Sequence, residues 1–103
     1  MLNPVQKTML QDDFEKFLKA LQQKGSNLDF SLFGIYAGSI LNFYVGSAVI
    51  AIEDKKEAAL HLCSLFNSGL GNVISKADLK EMAEAISQDT TIDYSVIQPV
   101  FGL

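Results

Sequence analysis

From Pro4 to Leu21 the apolar positions recur at helical spacing. Leu10, Phe14, Phe17, Leu18 and Leu21 fall on one side, while Asp12 with Lys16 and Glu15 with Lys19 make favourable pairs four residues apart on the other. Asn3 stands as N-cap, Pro4 takes the first helical position, Gln6 follows three residues after the cap, and Gly25 after Lys24 supplies a stop. The pattern predicts a first helix over residues 4–24.

From Phe30 to Ile52 no residue is charged, and the run admits three readings: strands, a buried helix, or a helix across a membrane. Its two Gly-Ser pairs, Gly38-Ser39 and Gly46-Ser47, have the form of two-residue type II′ hairpin turns. Folding the run at both corners puts Phe30, Leu32, Gly34, Tyr36, Leu41, Phe43, Val45, Ala48, Ile50 and Ile52 on one face, which is almost wholly apolar. The other face collects Ser31, Phe33, Ile35, Ala37, Ile40, Asn42, Tyr44, Val49, Ala51 and Glu53, a mixture. Nothing in the turn assignment forces that sorting, so it favours a three-stranded antiparallel meander, and the aromatic and β-branched content suits strands. Glycines 34, 38 and 46 would each cost a helix about 1 kcal/mol relative to alanine, which counts against the buried helix. The run is long enough to span a bilayer, and Gly34-xxx-Gly38 has helix-dimer spacing. Its glycines, serines, Asn42 and two mid-run tyrosines dilute the apolar residues that would drive insertion.

Beyond Ile52 the helical period returns. Asp54 with Glu57 opens a segment whose face is Ala58, Ala59, Leu62, Leu65 and Phe66, ending at Gly69 or Gly71. Ser75 with Asp78 opens another, carrying Leu79, Met82, Ala83 and Ile86. The tail alternates through Ile92, Tyr94 and Val96, an extended segment fit for a fourth strand until Pro99. The expected class is α+β: an N-terminal helix, a three-stranded antiparallel meander, two C-terminal helices and an extended C-terminal segment, in a single domain over residues 1–103. The alternative is an all-α bundle with a buried apolar helix over 30–52.

Composition sharpens the functional expectation. Hydrophobic residues make up 49% of the 103 and charged residues 19%, against roughly 25% in an average soluble domain, so an oligomer interface is expected. The net charge is −4 and the eight basic residues are all lysine, scattered along the chain. Nucleic acid, which demands clustered positive charge and favours the arginine fork, is not an expected partner. No polybasic patch marks a membrane surface. One cysteine, Cys63, excludes an internal disulfide and fits a reducing compartment. The N-terminus lacks the basic start and apolar core of a signal peptide, so a cytoplasmic location is expected.

Candidate chemistry is sparse. His61 and Cys63 lie two apart on a helix and point to different sides, so they cannot jointly bind a metal or form a nucleophile–base pair. The carboxylate groups Asp12-Asp13-Glu15, Glu53-Asp54-Glu57 and Asp78-Glu81-Glu84 are accounted for at least in part by helix N-termini, and none has a calcium-loop spacing. Gly69-Leu70-Gly71-Asn72 lacks the third glycine and the Lys-Ser/Thr ending of a phosphate loop. No catalytic residue, metal site or cofactor is assigned.

The expectation is a small acidic non-catalytic protein–protein interaction module, adaptor-, chaperone- or inhibitor-like, acting as a homodimer. Its interface would be the mixed sheet face, with Phe33, Ile35, Ile40, Tyr44 and Val49, and its partner another polypeptide. A second expectation is a small-molecule or lipid binder with a pocket at Gly34, Tyr36 and Phe43, and a third is a membrane protein spanning at 30–52. The order of a helix, three strands and further helices in an acidic chain is similar to that of bacterial secretion chaperones, an analogy of element order alone that covers no diagnostic motif.

Overall fold

The computed structural model describes residues 1–23 and 29–103; the Gly25 stop lies outside them. Helix α1 spans Pro4–Gln23 and begins at a capping box. Asn3 Oδ1 accepts the Gln6 amide N–H at 2.8 Å and Gln6 Oε1 accepts the Asn3 N–H at 2.9 Å, which satisfies two otherwise orphaned donors. Helix α2 covers Ser31–Gly46, α3 Lys55–Leu70 and α4 Lys76–Thr90, and a 3-10 turn at Ile52–Asp54 leads into α3. A short helix, α5 (Tyr94–Ile97), runs into a second 3-10 turn at Gln98–Phe101.

Among the described residues there is no strand. The α+β assignment, with its meander and its C-terminal strand, is therefore corrected to an all-helical fold, and the similarity to secretion chaperones falls with the element order that carried it. The all-α alternative comes nearer. Its middle helix, however, stops at Gly46, short of Ile52, and one side of it stands in solvent.

The glycines explain why this run is helical. Gly34 and Gly38 lie where α2 crosses α4: a Cβ at Gly34 would sit 2.4 Å from the Ala85 carbonyl oxygen, and one at Gly38 3.0 Å from that of Asp89. The residues that weaken the helix by about 1 kcal/mol apiece in isolation are the ones that let two backbones pack closely, and tertiary contact offsets propensity. The buried positions Phe33, Gly34, Ala37, Gly38, Leu41 and Tyr44 recur at helical spacing. A period of two could be drawn through the same run because nearly every residue in it is apolar, and a pattern with little polar contrast fits either period.

Gly46-Ser47 does mark a reversal, as a helix end. The Val49 N–H donates to the Tyr44 carbonyl at 2.9 Å and the Ala48 N–H to that of Val45 at 3.1 Å, the paired bonds of a Schellman motif. The left-handed position this motif requires is filled by Ala48, at φ 59°.

The later helices start where expected. Ser75 Oγ accepts the Asp78 N–H at 3.2 Å to cap α4. Asp54 and Glu57 stand at the start of α3, but their carboxylates reach the N-terminal segment, accepting from the Met1 ammonium and the Leu2 N–H, each at 2.6 Å. In the tail, Asp93 Oδ1 accepts the Ser95 N–H at 2.9 Å. That cap winds the expected strand into α5, which buries Ile97, and the following turn buries Phe101.

α1 runs antiparallel to α2, since Phe17 meets Phe33, Asp13 meets Tyr44 and Gln6 Nε2 donates to the Val49 carbonyl. α2 and α4 run in the same direction, with Gly34 opposite Ala85 and Gly38 opposite Asp89. Phe66 of α3 is fully buried at the junction, its ring 5.2 Å from those of both Phe14 and Phe33 and 6.1 Å from Tyr36. The molecule is only 20 Å thick along its shortest axis, which is about two helix diameters.

Gly34→Ala is expected to destabilise by about 2 kcal/mol or more in chemical denaturation, because the new methyl meets fixed backbone. Gly46→Ala, where an added Cβ has nothing within 4 Å, is expected not to destabilise. Ala48→Gly removes the left-handed cost of a Cβ and is expected to raise stability by about 0.5–1 kcal/mol in the same assay.

Candidate functional site

Helix α2 contains no charged residue, and its outer side is unusual for that reason. About 3.6 residues per turn place Leu32, Ile35, Ser39, Phe43 and Gly46 along one stripe, with Asn42 at its edge. With the glycine seam packed on α4 and Phe33, Ala37 and Tyr44 turned to the core, this stripe is what remains to face water. Ile35 is 54% exposed and Phe43 64% exposed. Ser39 lies between them and is exposed, as is Asn42, whose Oδ1 accepts from Lys55 Nζ at 3.3 Å.

Beside the stripe, on the α1 side, is an open cleft of about 230 Å³ lined by Phe17, Ala20, Leu21, Leu32, Ile35 and Tyr36. The Tyr36 ring stacks on Phe17, with centroids 4.2 Å apart and planes 9° from parallel. Its hydroxyl is buried and has no hydrogen-bond partner among the described residues. Burial and the nearby Asp13 carboxylate hold this phenol neutral, its pKa raised well above that of a free tyrosine. Tyr44 is raised likewise, first by burial and then by the hydrogen bond its hydroxyl donates to Asp13.

The residues expected on one sheet face are dispersed by the helix. Phe33 and Tyr44 are core residues, Ile40 is half-buried against the core, Val49 lies half-buried in the loop after α2, and Ile35 alone of the five is well exposed. The three positions named for a pocket also separate. Gly34 is sealed under α4, Tyr36 lines the cleft, and Phe43 stands in solvent. Sequence reasoning missed the pairing of Phe43 with Ile35, because the meander set them on opposite faces. The signal for it was present in the polar residues: Ser31, Ser39 and Asn42 recur at helical intervals and trace the outer side.

His61 and Cys63 are not brought together. Cys63 is fully buried in α3, and its thiol is pushed up to about 12 by desolvation. His61 lines an open cleft with Lys7, Glu57 and Leu60; burial, then Lys7, lowers its pKa from the ordinary imidazole value. Among the described residues no group of three or more His, Cys, Asp or Glu side chains is placed to hold a metal ion. Among the same residues, no helix is long and apolar enough to cross a membrane, so the spanning helix at 30–52 is not formed. No protein-family model, curated protein or solved structure matches the chain.

The buried ionisable groups set a pH response. Cys63, with an ordinary value of 9.0, and Tyr36 and Tyr44, with ordinary values of 10.0, all keep their protons longer in the folded state than in the unfolded one. Their contribution is therefore fully present below about pH 9 and is lost as the pH rises through the alkaline range. Denaturation midpoints are expected to fall steadily above about pH 9, and the Cys63 thiol is expected to resist aromatic disulfide reagents at neutral pH until the chain is unfolded.

Proposed function

We propose that this protein is a small non-catalytic interaction module whose docking surface is the outer stripe of α2, and that its partner is another polypeptide. The observation that carries the reading is the exposure of Phe43 and Ile35, 64% and 54%, on a helix without a single charge. Folding does not require apolar residues at these two positions, since neither is packed in the core. Clustered exposed aromatic and aliphatic side chains with a polar edge are the composition of a recognition patch. Phe43 is the anchor and Ile35 its neighbour along the helix, with Ser39 and Asn42 supplying the polar contacts. Adaptor, chaperone and inhibitor roles all work by such a surface. A cytoplasmic setting belongs to the same reading, as a lone buried thiol suits a reducing compartment.

The ligand-binding alternative draws less support. The cleft at Tyr36, about 230 Å³ and open, is smaller than the roughly 300–1,000 Å³ of most small-molecule sites.

The test is capture from a lysate of the native host with the immobilised protein and its Phe43→Asp variant. Because Phe43 is mostly in solvent, the variant is expected to keep its helical circular dichroism, and to retain specific partner chains at least about tenfold less well. Equal retention by the two proteins would remove α2 as the docking surface.

A further inference from the structure

Resting on that reading, we propose that the occupant of the α2 stripe is a second copy of this chain, the two α2 helices packing antiparallel across a two-fold axis at Ser39. A two-fold interface must be self-complementary: if one residue touches another, the reverse contact exists as well. The stripe meets that condition in its sequence. Ile35 and Phe43 lie four residues to either side of Ser39, so antiparallel pairing centred there sets Ile35 of each copy against Phe43 of the other. Ser39, small and exposed at the midpoint, lets the helices come close.

Charge points the same way. The chain carries −4, so two copies repel each other on net charge, whereas the α2 stripe offers no charge to repel. Its flank on the α4 side is acidic towards the start of α2, where Asp29, Glu81 and Glu84 line one cleft. Further along, Lys55 sits at Asn42. An antiparallel two-fold pair keeps this flank on the same side and reverses its direction. Lys55 of each copy then lies towards the acidic end of the other.

The size of the surface sets the strength. Sixteen residues give a strip roughly 24 Å long and 10 Å wide, which falls well below the ~800 Å² per partner of a standard interface. The pair is reversible and forms with rising concentration.

A Ser39→Cys variant tests the axis directly. Helices 8–10 Å apart with a backbone radius of about 2.3 Å leave facing Cα atoms roughly 3.5–5.5 Å apart, which overlaps the range a disulfide spans. The native Cys63 is buried and does not compete. Mild oxidation of Ser39→Cys is expected to give a reducible covalent dimer at least about tenfold faster than oxidation of Ser31→Cys, a control two turns away, because only the paired position holds the thiols at high effective concentration. Sedimentation of the wild type is expected to show a concentration-dependent dimer that Phe43→Asp abolishes. Equal cross-linking at both positions, or a dimer indifferent to Phe43→Asp, would overturn the pairing. A strictly monomeric wild type would overturn it too, and the capture experiment would then decide separately whether the stripe docks a different chain.

Discussion

The backbone contact between α2 and α4 at Gly34 and Gly38 governs the rest of the molecule. At both glycines α2 presents backbone instead of a side chain, so the Ala85 and Asp89 carbonyls, with the Asp89 side chain beside them, set how closely and at what rotation α2 sits. Once that seam is set, helical geometry leaves no choice about the other sides. Phe33, Ala37 and Tyr44 turn into the core, Tyr36 turns towards Phe17 of α1, and Ile35, Ser39 and Phe43 are left facing water. The exposed stripe is thus a geometric consequence of where the glycines stand.

The aromatic cluster locks the same rotation from the opposite side. Phe66 meets Phe14, Phe33 and Tyr36, and Phe17 stacks on Tyr36. Edge-to-face and stacked rings at these separations each add about 0.5–1.5 kcal/mol beyond their burial, and they do so only in particular orientations. A turn of α2 about its axis would lose both the seam and the ring contacts. The Schellman motif at Ala48 then reverses the chain directly after Gly46, and Gln6 clamps the returning loop through the Val49 carbonyl. Few degrees of freedom remain for the helix that presents the patch.

Helices α1, α3 and α4 were legible in the sequence, whereas α2 and the all-helical class were not, for a physical reason. α1, α3 and α4 alternate charged and apolar sides, so their periods could be counted, and the Asn3–Gln6 and Ser75–Asp78 caps named their first turns. α2 has no charged side. Its residues sorted as neatly into strands as into a helix, and Gly38-Ser39 and Gly46-Ser47 resembled hairpin corners when one is a helix crossing and the other a helix end. A glycine needed for close approach and a glycine needed for a turn look alike until a partner helix is known. The tail failed for a different reason: Ile92, Tyr94 and Val96 do alternate, but Asp93 caps a helical turn, and a local hydrogen bond outweighed a short alternation. For the site, grouping by sheet face joined core residues such as Phe33 to the exposed Ile35, while Phe43 was set apart from it.

A fold 20 Å thick has room for two layers of helix, and among the described residues α2 has neighbours on three sides only. Neither Ile35 nor Phe43 belongs to the buried core, and charged helix-forming residues there would improve solubility in a chain with only 19% charged residues. Ile and Phe there lie outside the buried core and leave more than half of each side chain in water. Among the described residues seven large apolar side chains stand out as well exposed, Met1, Val5 and Val73 among them, and scattered examples need no explanation. Ile35 and Phe43 differ because they share one stripe of a rigidly held, charge-free helix and flank a small residue at equal distance. That arrangement is difficult to account for by packing and simple to account for as a surface that another helix covers.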